Sequence, residues 1–257
     1  MNRAELHQRL ENLHHSLHRT EFLHPDPLET VLRFDTPQDQ EIIGLVAATL
    51  AYGRASQILI SIDRVLNVMT PSPSAFLRDA TPANLAHALK GFRHRWTSED
   101  DIINLLLGIK RAIESCGSLE NAFANGLNES DQTTLPALEQ WASRLTMNSS
   151  KNSLISNPSG GSACKRLHLY LRWMVRRDAI DPGPWTTINP AQLIIPLDTH
   201  MYRFARKHRM TRRKTPDGKA ALRITQAFRK MEPEDPLKYD FVLTRLGIHP
   251  DLSPDLL

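Results

Sequence analysis

Residues 36–51 read TPQDQEIIGLVAATLA, and this stretch decides the fold class. Thr36 is a favoured N-cap residue, Pro37 suits the first helical position, and Asp39 suits the first turn of a helix. The following residues 42–51 are apolar on every side, which is typical of a buried helix. We therefore expect a central buried helix that begins at Pro37.

The apolar spacing is helical along most of the remaining chain. Leu6, Leu10, Leu13 and Leu17 form one stripe, and residues 98–101, SEDD, are a capping signal for another helix. Further helices are expected at 118–126, 135–146, 162–177, 216–231 and 236–246, the last ended by Gly247. Since no useful strand alternation is present, the sequence predicts an all-α protein, a single unit of residues 1–257 with two helical lobes.

Charge is distributed unevenly along the chain. The 257 residues carry 32 Lys and Arg against 28 Asp and Glu, a net charge of +4 with neutral histidines. Residues 203–230, the basic segment, hold eleven Lys and Arg and only one acid, Asp217. This segment is therefore +10 and the rest of the chain −6. A basic face on a mildly acidic body favours a polyanionic partner.

Several classes of protein are excluded by composition. Two cysteines, Cys116 and Cys164, cannot form a disulfide framework, a cysteine-rich zinc site or a four-cysteine iron–sulfur cluster. No apolar run reaches the roughly 18–20 residues needed to cross a bilayer. His14 and His18 share a helical face, but no third ligand joins them at metal-binding spacing, so no metal site is expected. We expect a reduced, cytoplasmic monomer.

Asp198 is the first candidate for chemistry. It follows residues 194–197, IIPL, and starts a helix that runs into the basic segment. Its carboxylate fits the N-cap preference, which alone would explain its presence. A carboxylate beside bound phosphate would weaken binding, however, which favours a chemical role. Both interpretations stay open from these residues.

Lys165 is the second candidate. It follows residues 160–164, GGSAC, a turn of small residues that leads into a helix. Such a turn exposes backbone N–H groups that can hold a phosphate. The helix dipole and apolar neighbours disfavour a positive charge there, and a nucleophilic lysine needs a neutral amine. A surface lysine or one that contacts phosphate fits these residues equally well.

These blocks resemble a known superfamily. Residues 195–201, IPLDTHM, are similar to the Pro-Val-Asp-x-His segment of 8-oxoguanine DNA glycosylases in the helix-hairpin-helix superfamily. Residues 158–177, preceded by a Ser- and Gly-rich loop at 147–161, occupy the position of its hairpin. Residues 45–58, LVAATLAYGRASQI, resemble its first core helix and the turn after it.

A closer resemblance covers about residues 20–250. It is to an uncharacterised bacterial family that shares Lys165-Arg166, the block LRWMVR at 171–176 and the block PLDTH at 196–200. Two features depart from the wider superfamily. The hairpin lacks the usual Leu-Pro-Gly-Val-Gly sequence. Asp198 follows Lys165 by 33 positions, a longer gap than in endonuclease III-like members but comparable to the gap in the archaeal 8-oxoguanine glycosylases.

The resemblance implies a base excision enzyme of the glycosylase/AP lyase type, with 8-oxoguanine in double-stranded DNA as the candidate lesion. Lys165 would attack the sugar and form a Schiff base, and Asp198 would stabilise the developing positive charge. Tyr52 or Arg54 would fill the vacated base stack. The residues expected at the base pocket are Tyr52, Trp173 and Trp185. Those expected to contact DNA are Arg54, Gly160, Gly161, Arg166, Arg172, His200, Arg203, Arg206 and Arg213.

Other functions remain to be weighed. A non-catalytic DNA- or RNA-binding module would need the basic segment but would not need Lys165 and Asp198 together. An RNA-processing enzyme is compatible with the same charges, because phosphate contacts carry no sequence information. A metabolic enzyme is disfavoured, since no phosphate-loop, dinucleotide or Ser/His/Asp motif is present. No cofactor is expected; whether the hairpin binds a monovalent cation stays open.

Overall fold

The computed structural model describes residues 2–146, 153–248 and 252. These residues form α-helices and one short hairpin, which confirms the all-α class. The helices are α1 (Arg3–Leu17), α2 (Leu28–Val31), α3 (Pro37–Leu50), α4 (Ala55–Val68), α5 (Pro73–Asp79), α6 (Pro82–Ala88), α7 (Glu99–Cys116), α8 (Leu119–Ala124), α9 (Leu135–Thr146), α10 (Lys165–Val175), α11 (Thr199–Lys207), α12 (Gly218–Arg229) and α13 (Asp240–Ile248). Strands β1 (Arg93–His94) and β2 (Thr97–Ser98) form the antiparallel hairpin.

The predicted helix starts are confirmed where a capping residue marks them. The Thr36 hydroxyl accepts a hydrogen bond from the Asp39 N–H at 3.2 Å, directly before α3. Ser98 and Asp101 form a reciprocal capping box at the start of α7. Residues 42–50 are buried throughout, as the apolar run predicts.

Other boundaries differ from the prediction. Helix α10 begins at Lys165 rather than at residue 162, and helices α4 to α6 and the hairpin were not predicted. Gly247 does not end α13, which continues to Ile248. It is needed for close packing instead, because a Cβ at Gly247 would lie 2.1 Å from Nδ1 of His200. The predicted loop at 147–161 falls partly on residues 147–152, outside the described residues.

Helix α3 lies at the centre of the packing and contacts α2, α4, α5, α8 and α10. It packs closely against α10 at Gly44, where a Cβ would lie 2.7 Å from Cε of Met174. The buried apolar side chains form a continuous cluster that extends from Leu6 to Leu246. This packing fixes α10, and therefore Lys165 at its first position, against the protein core.

A buried ion network links α10 to the segments that follow it. Asp181 is fully buried and accepts two hydrogen bonds from Arg172, at 3.0 and 2.9 Å, and another from Arg176. Arg172 also donates to Asp240 at 2.9 Å, and Arg176 pairs with Asp235 at 2.9 Å. Buried charges of this kind are tolerated only when they are paired.

Replacing Asp181 with alanine should strongly destabilise the fold. Two buried guanidinium groups would lose a shared partner, and breaking such a buried pair costs about 3–5 kcal/mol. Urea denaturation at neutral pH measures the free energy of unfolding. The control is Glu129→Ala, which removes an exposed loop carboxylate and should change stability by about 0.5 kcal/mol or less. Equal stability of the two variants would contradict this role of Asp181.

Acid should also destabilise the protein through His168. Burial lowers the pKa of this imidazole to about 4, below its ordinary value of 6.5, and its Nδ1 atom has no hydrogen-bond partner among the described residues. The unfolded chain binds the proton more readily than the folded protein. The contribution of neutral His168 to the free energy of unfolding is therefore fully present above pH 6.5 and is lost as the pH falls towards 4.

The expected loss from His168 between pH 7 and pH 5 is about 2 kcal/mol. Asp240 acts in the opposite direction, because its pKa is raised to about 6. The difference between wild type and His168→Leu isolates the histidine. Urea denaturation at both pH values should show a smaller loss for the variant. Equal losses would assign the acid sensitivity to other groups.

Candidate functional site

A pocket of about 290 Å³ brings together the two residues singled out by the sequence. Lys165 enters it from the first turn of α10, and Asp198 from the residue before α11. The other walls come from residues 25–27, from residues 51–53 and Ala55 at the α3–α4 connection, and from α13. The pocket therefore lies between the starts of α10 and α11, the α3–α4 connection, the segment before α2, and α13.

The turn before Lys165 is tight and includes a left-handed glycine. A short 3₁₀ turn, Pro158–Gly160, is followed by Gly161 in the left-handed region with φ 78°. The Gly161 carbonyl accepts a hydrogen bond from the Gly218 N–H at 3.0 Å, which ties the turn to the start of α12. Cys164 precedes α10 with φ 43° and provides no side-chain cap. The first backbone N–H groups of α10 consequently have no side-chain acceptor at their N-cap.

Asp198 acts as the N-cap of α11, as the sequence predicts. Its Oδ1 atom accepts a hydrogen bond from the Met201 N–H at 2.7 Å. The same carboxylate lies close enough to Asp240 for its charge to affect that residue. Capping uses one oxygen of Asp198, and the second oxygen makes no further hydrogen bond that the described residues show. The cap is thus compatible with a chemical role.

Buried charges form part of the pocket wall. Burial raises the pKa of Asp240, Arg172 opposes this effect and the Asp198 charge adds to it, so that the pKa is about 6. The Oδ1 atom of Asp240 and the Nε atom of Arg245 have no hydrogen-bond partner among the described residues. Arg245 donates to Asp26 at 2.7 Å through its Nη2 atom. An acceptor and a donor on α13 therefore remain unsatisfied at this pocket, whose lining includes both residues.

The two predicted tryptophans lie elsewhere. Trp173 is fully buried, and Trp185 is 3% exposed and donates from Nε1 to Glu41 at 3.1 Å. Neither residue lines the pocket. The reason is helical geometry, because Lys165, Leu169 and Arg172 repeat along the pocket face of α10 while Trp173 faces the core. Tyr52 does line the pocket.

The predicted DNA contacts divide into two groups. His200 and Arg172 line the pocket, but the Arg172 guanidinium is buried and held by Asp181 and Asp240. Arg166 is also engaged, since it donates to the carbonyls of Thr49 at 2.7 Å and Ser153 at 2.9 Å. Both arginines therefore have structural partners that a phosphate would have to replace.

The remaining predicted contacts lie outside the pocket. Arg54, Gly160, Gly161 and Arg203 are exposed. Arg206 donates to the carbonyls of Arg212 and Arg213, and Arg213 forms an ion pair with Asp217. These two arginines hold the loop between α11 and α12, whereas Arg203, Arg212 and Lys214 are exposed cations of the same segment that a polyanion could contact.

One further cluster has metal-binding character. His7, Glu11 and Glu232 place possible ligand atoms within 4.8 Å of one another. The Lys238 ammonium lies 2.7 Å from Glu11 and 3.4 Å from Glu232. A positive charge from the chain itself thus already compensates these carboxylates.

Sequence reasoning missed Trp96 completely. It lies at the tip of the β1–β2 hairpin, is 59% exposed, and stacks on Tyr52 at a centroid distance of 4.7 Å. A single tryptophan without periodic neighbours gives no sequence signal. Its contact with a residue of the pocket wall appears only once the chain is folded.

Comparison with known proteins places the chain in a family. Residues 26–249 match the family described as "Protein of unknown function (DUF2400)". The chain belongs to this family. Comparisons with curated proteins and with solved structures find no match. Among the described residues, no helix of this DUF2400 member is long and apolar enough to cross a membrane.

Proposed function

We propose that this DUF2400 protein is a DNA N-glycosylase/AP lyase that excises a damaged base through a Schiff base on Lys165. One observation carries the proposal: Lys165 and Asp198, from the starts of two different helices, line one pocket. A lysine and a carboxylate at a single pocket are the groups that an imine mechanism requires. The pocket volume of about 290 Å³ is close to the lower limit for small-molecule sites, which is about 300 Å³.

The chemistry follows from these two groups. The neutral amine of Lys165 attacks C1′ of the flipped nucleotide, and the bond between C1′ and the base nitrogen breaks. The base leaves with the bonding electrons and is protonated, and loss of a proton from the amine and ring opening of the sugar give the imine. Asp198 stabilises the positive charge that develops on the sugar and transfers protons. Elimination of the 3′ phosphate from the imine then cleaves the strand.

Duplex DNA is the substrate that suits the surrounding charge. The basic segment begins at Arg203 within α11, and Asp198 is the N-cap residue of the same helix. Arg203, Arg212 and Lys214 are exposed there. Such cations neutralise phosphates without reading sequence, which fits an enzyme that must scan DNA for a lesion. We propose 8-oxoguanine as the first lesion to test.

Borohydride trapping tests the proposal. Purified protein is incubated with duplexes that each carry one lesion or an abasic site, and borohydride reduces any imine to a stable covalent complex. We expect a trapped complex with the abasic duplex and with at least one lesion, and none with undamaged DNA. The absence of trapping with every duplex would contradict the lyase chemistry.

A second candidate is a nucleic-acid-binding module without turnover. The hydrogen bond from Met201 to Asp198 favours it, because capping alone accounts for this carboxylate. This alternative predicts binding of damaged and undamaged duplexes with no trapped complex and no released base. Trapping and base release therefore separate the two functions directly.

A further inference from the structure

The hairpin tip presents an aromatic and cationic ladder beside the pocket. Arg166 lies over the Tyr52 ring at 5.2 Å, Tyr52 stacks on Trp96 with an interplanar angle of 16°, and the Arg95 guanidinium lies 4.7 Å from the Trp96 ring centroid. Of the four tryptophans in the chain, the other three are at most 3% exposed, whereas Trp96 is 59% exposed. An indole so exposed loses the stabilisation that burial would give it.

The ladder is held in place by buried hydrogen bonds. His94 contacts Ser61 Oγ at 2.8 Å through Nδ1 and the Tyr52 carbonyl at 3.0 Å through Nε2. The Tyr52 hydroxyl in turn donates to the His94 carbonyl at 2.9 Å. These bonds fix the hairpin against the α3–α4 corner. Trp96 is thus presented in a set position, and a partner does not have to order it.

The backbone conformation of the hairpin turn is unfavourable for the residues that form it. In the two-residue turn, Arg95 has φ 55°, in the left-handed region that glycine or asparagine adopts most easily. Gly53 has φ 103°, which residues with a side chain rarely adopt, and a Cβ there would lie 3.1 Å from Cδ of Arg95, closer than an ordinary contact. An arginine and an exposed tryptophan at such a tip are poor choices for turn stability. Strain of this kind is often retained at binding sites.

We propose that this ladder is a stacking site for an unpaired nucleobase of a nucleic-acid strand at the mouth of the pocket. The inference rests on the proposed function only for the choice of nucleic acid as ligand. A nucleobase can stack on Trp96 by displacing the exposed Arg95 guanidinium, and its phosphates suit Arg93, Arg95 and Arg54, all of which are exposed. Residues 91–98 contain two arginines and no acid, and Glu99, Asp100 and Asp101 follow directly at the start of α7.

The position of Tyr52 connects the two sites. It belongs to both the pocket wall and the ladder, so a base on Trp96 would lie next to a nucleotide whose sugar faces Lys165. The strand would have to be locally unpaired at this point. The ladder therefore predicts binding of single-stranded DNA, which the basic segment alone does not require.

Tryptophan fluorescence tests the stacking site with a short single-stranded oligothymidylate as the probe. Because the other three tryptophans are buried, quenching on addition of the oligonucleotide reports mainly on Trp96. Trp96→Leu should abolish the quenching and weaken binding by roughly 5- to 100-fold, the effect of removing one base–aromatic stack. Trp96→Phe retains a ring and should bind within about threefold of wild type. Ile60→Ala is the control, since Ile60 is also 59% exposed and should have no effect.

The inference is overturned if Trp96→Leu binds as tightly as wild type, or if the oligonucleotide binds without changing tryptophan emission. Absence of oligonucleotide binding also overturns it and would leave the ladder to a protein partner. The outcomes are separable from those of the proposed function. Quenching without borohydride trapping supports the stacking site and rejects the lyase, whereas trapping without dependence on Trp96 does the reverse.

Discussion

Replacing Lys165 with glutamine should reduce the borohydride-trapped complex to background while duplex affinity stays within a few-fold of wild type. The amide of glutamine cannot form an imine, but it occupies a similar volume at the first position of α10. Since Lys165 is one cation beside a segment of net charge +10, its loss should remove little of the phosphate attraction.

Lys219→Gln provides the matched control. Lys219 also lies in the first turn of a helix, α12, but it is exposed and is not part of the pocket. This variant should trap as efficiently as wild type. Undiminished trapping by Lys165→Gln would remove Lys165 from the chemistry, whatever its position in the pocket.

Replacing Asp198 with asparagine should slow single-turnover base excision by about 10²- to 10³-fold, the effect of losing one electrostatic stabiliser of the transition state. Asparagine caps helices about as well as aspartate, so the free energy of unfolding should change little. Binding of DNA should become tighter, because a negative charge close to phosphate is removed. Quench-flow excision and equilibrium titration measure the two effects.

Asp217→Asn separates capping from catalysis. Asp217 caps α12 with nearly the same backbone angles, φ −100° and ψ −179°, as Asp198 with φ −101° and ψ −177°. It accepts from the Ala220 N–H at 2.8 Å and also pairs with Arg213, but it lies outside the pocket. Its variant should excise at the wild-type rate. A normal rate for Asp198→Asn as well would leave Asp198 with a capping role alone.

Much of the helical framework is predictable because its signals are local. Thr36 and Ser98 mark helix starts through hydrogen bonds made within four residues, so a single sequence contains the whole signal. Gly247 misled the prediction because the residue that requires it, His200, is distant in sequence. Strands β1 and β2 have two residues each, too few to show alternation.

The site was predictable only in part for the same reason. Short blocks around Lys165 and Asp198 point to chemistry, and the pocket brings both together. Asp240 and Arg245 carry no motif and reach the pocket only because α13 packs against α11. Trp173 was expected to line the nucleobase pocket because it is aromatic, whereas its position on α10 places it in the core.

Locating the covalent bond shows directly whether Lys165 is the nucleophile. Wild-type protein is trapped on an abasic duplex with borohydride, the complex is digested with protease and nuclease, and the modified peptide is sequenced by mass spectrometry. We expect a deoxyribose remnant on the Nζ atom of Lys165. A remnant on another amine of the chain, or no modified peptide from a protein that binds the duplex, would contradict it.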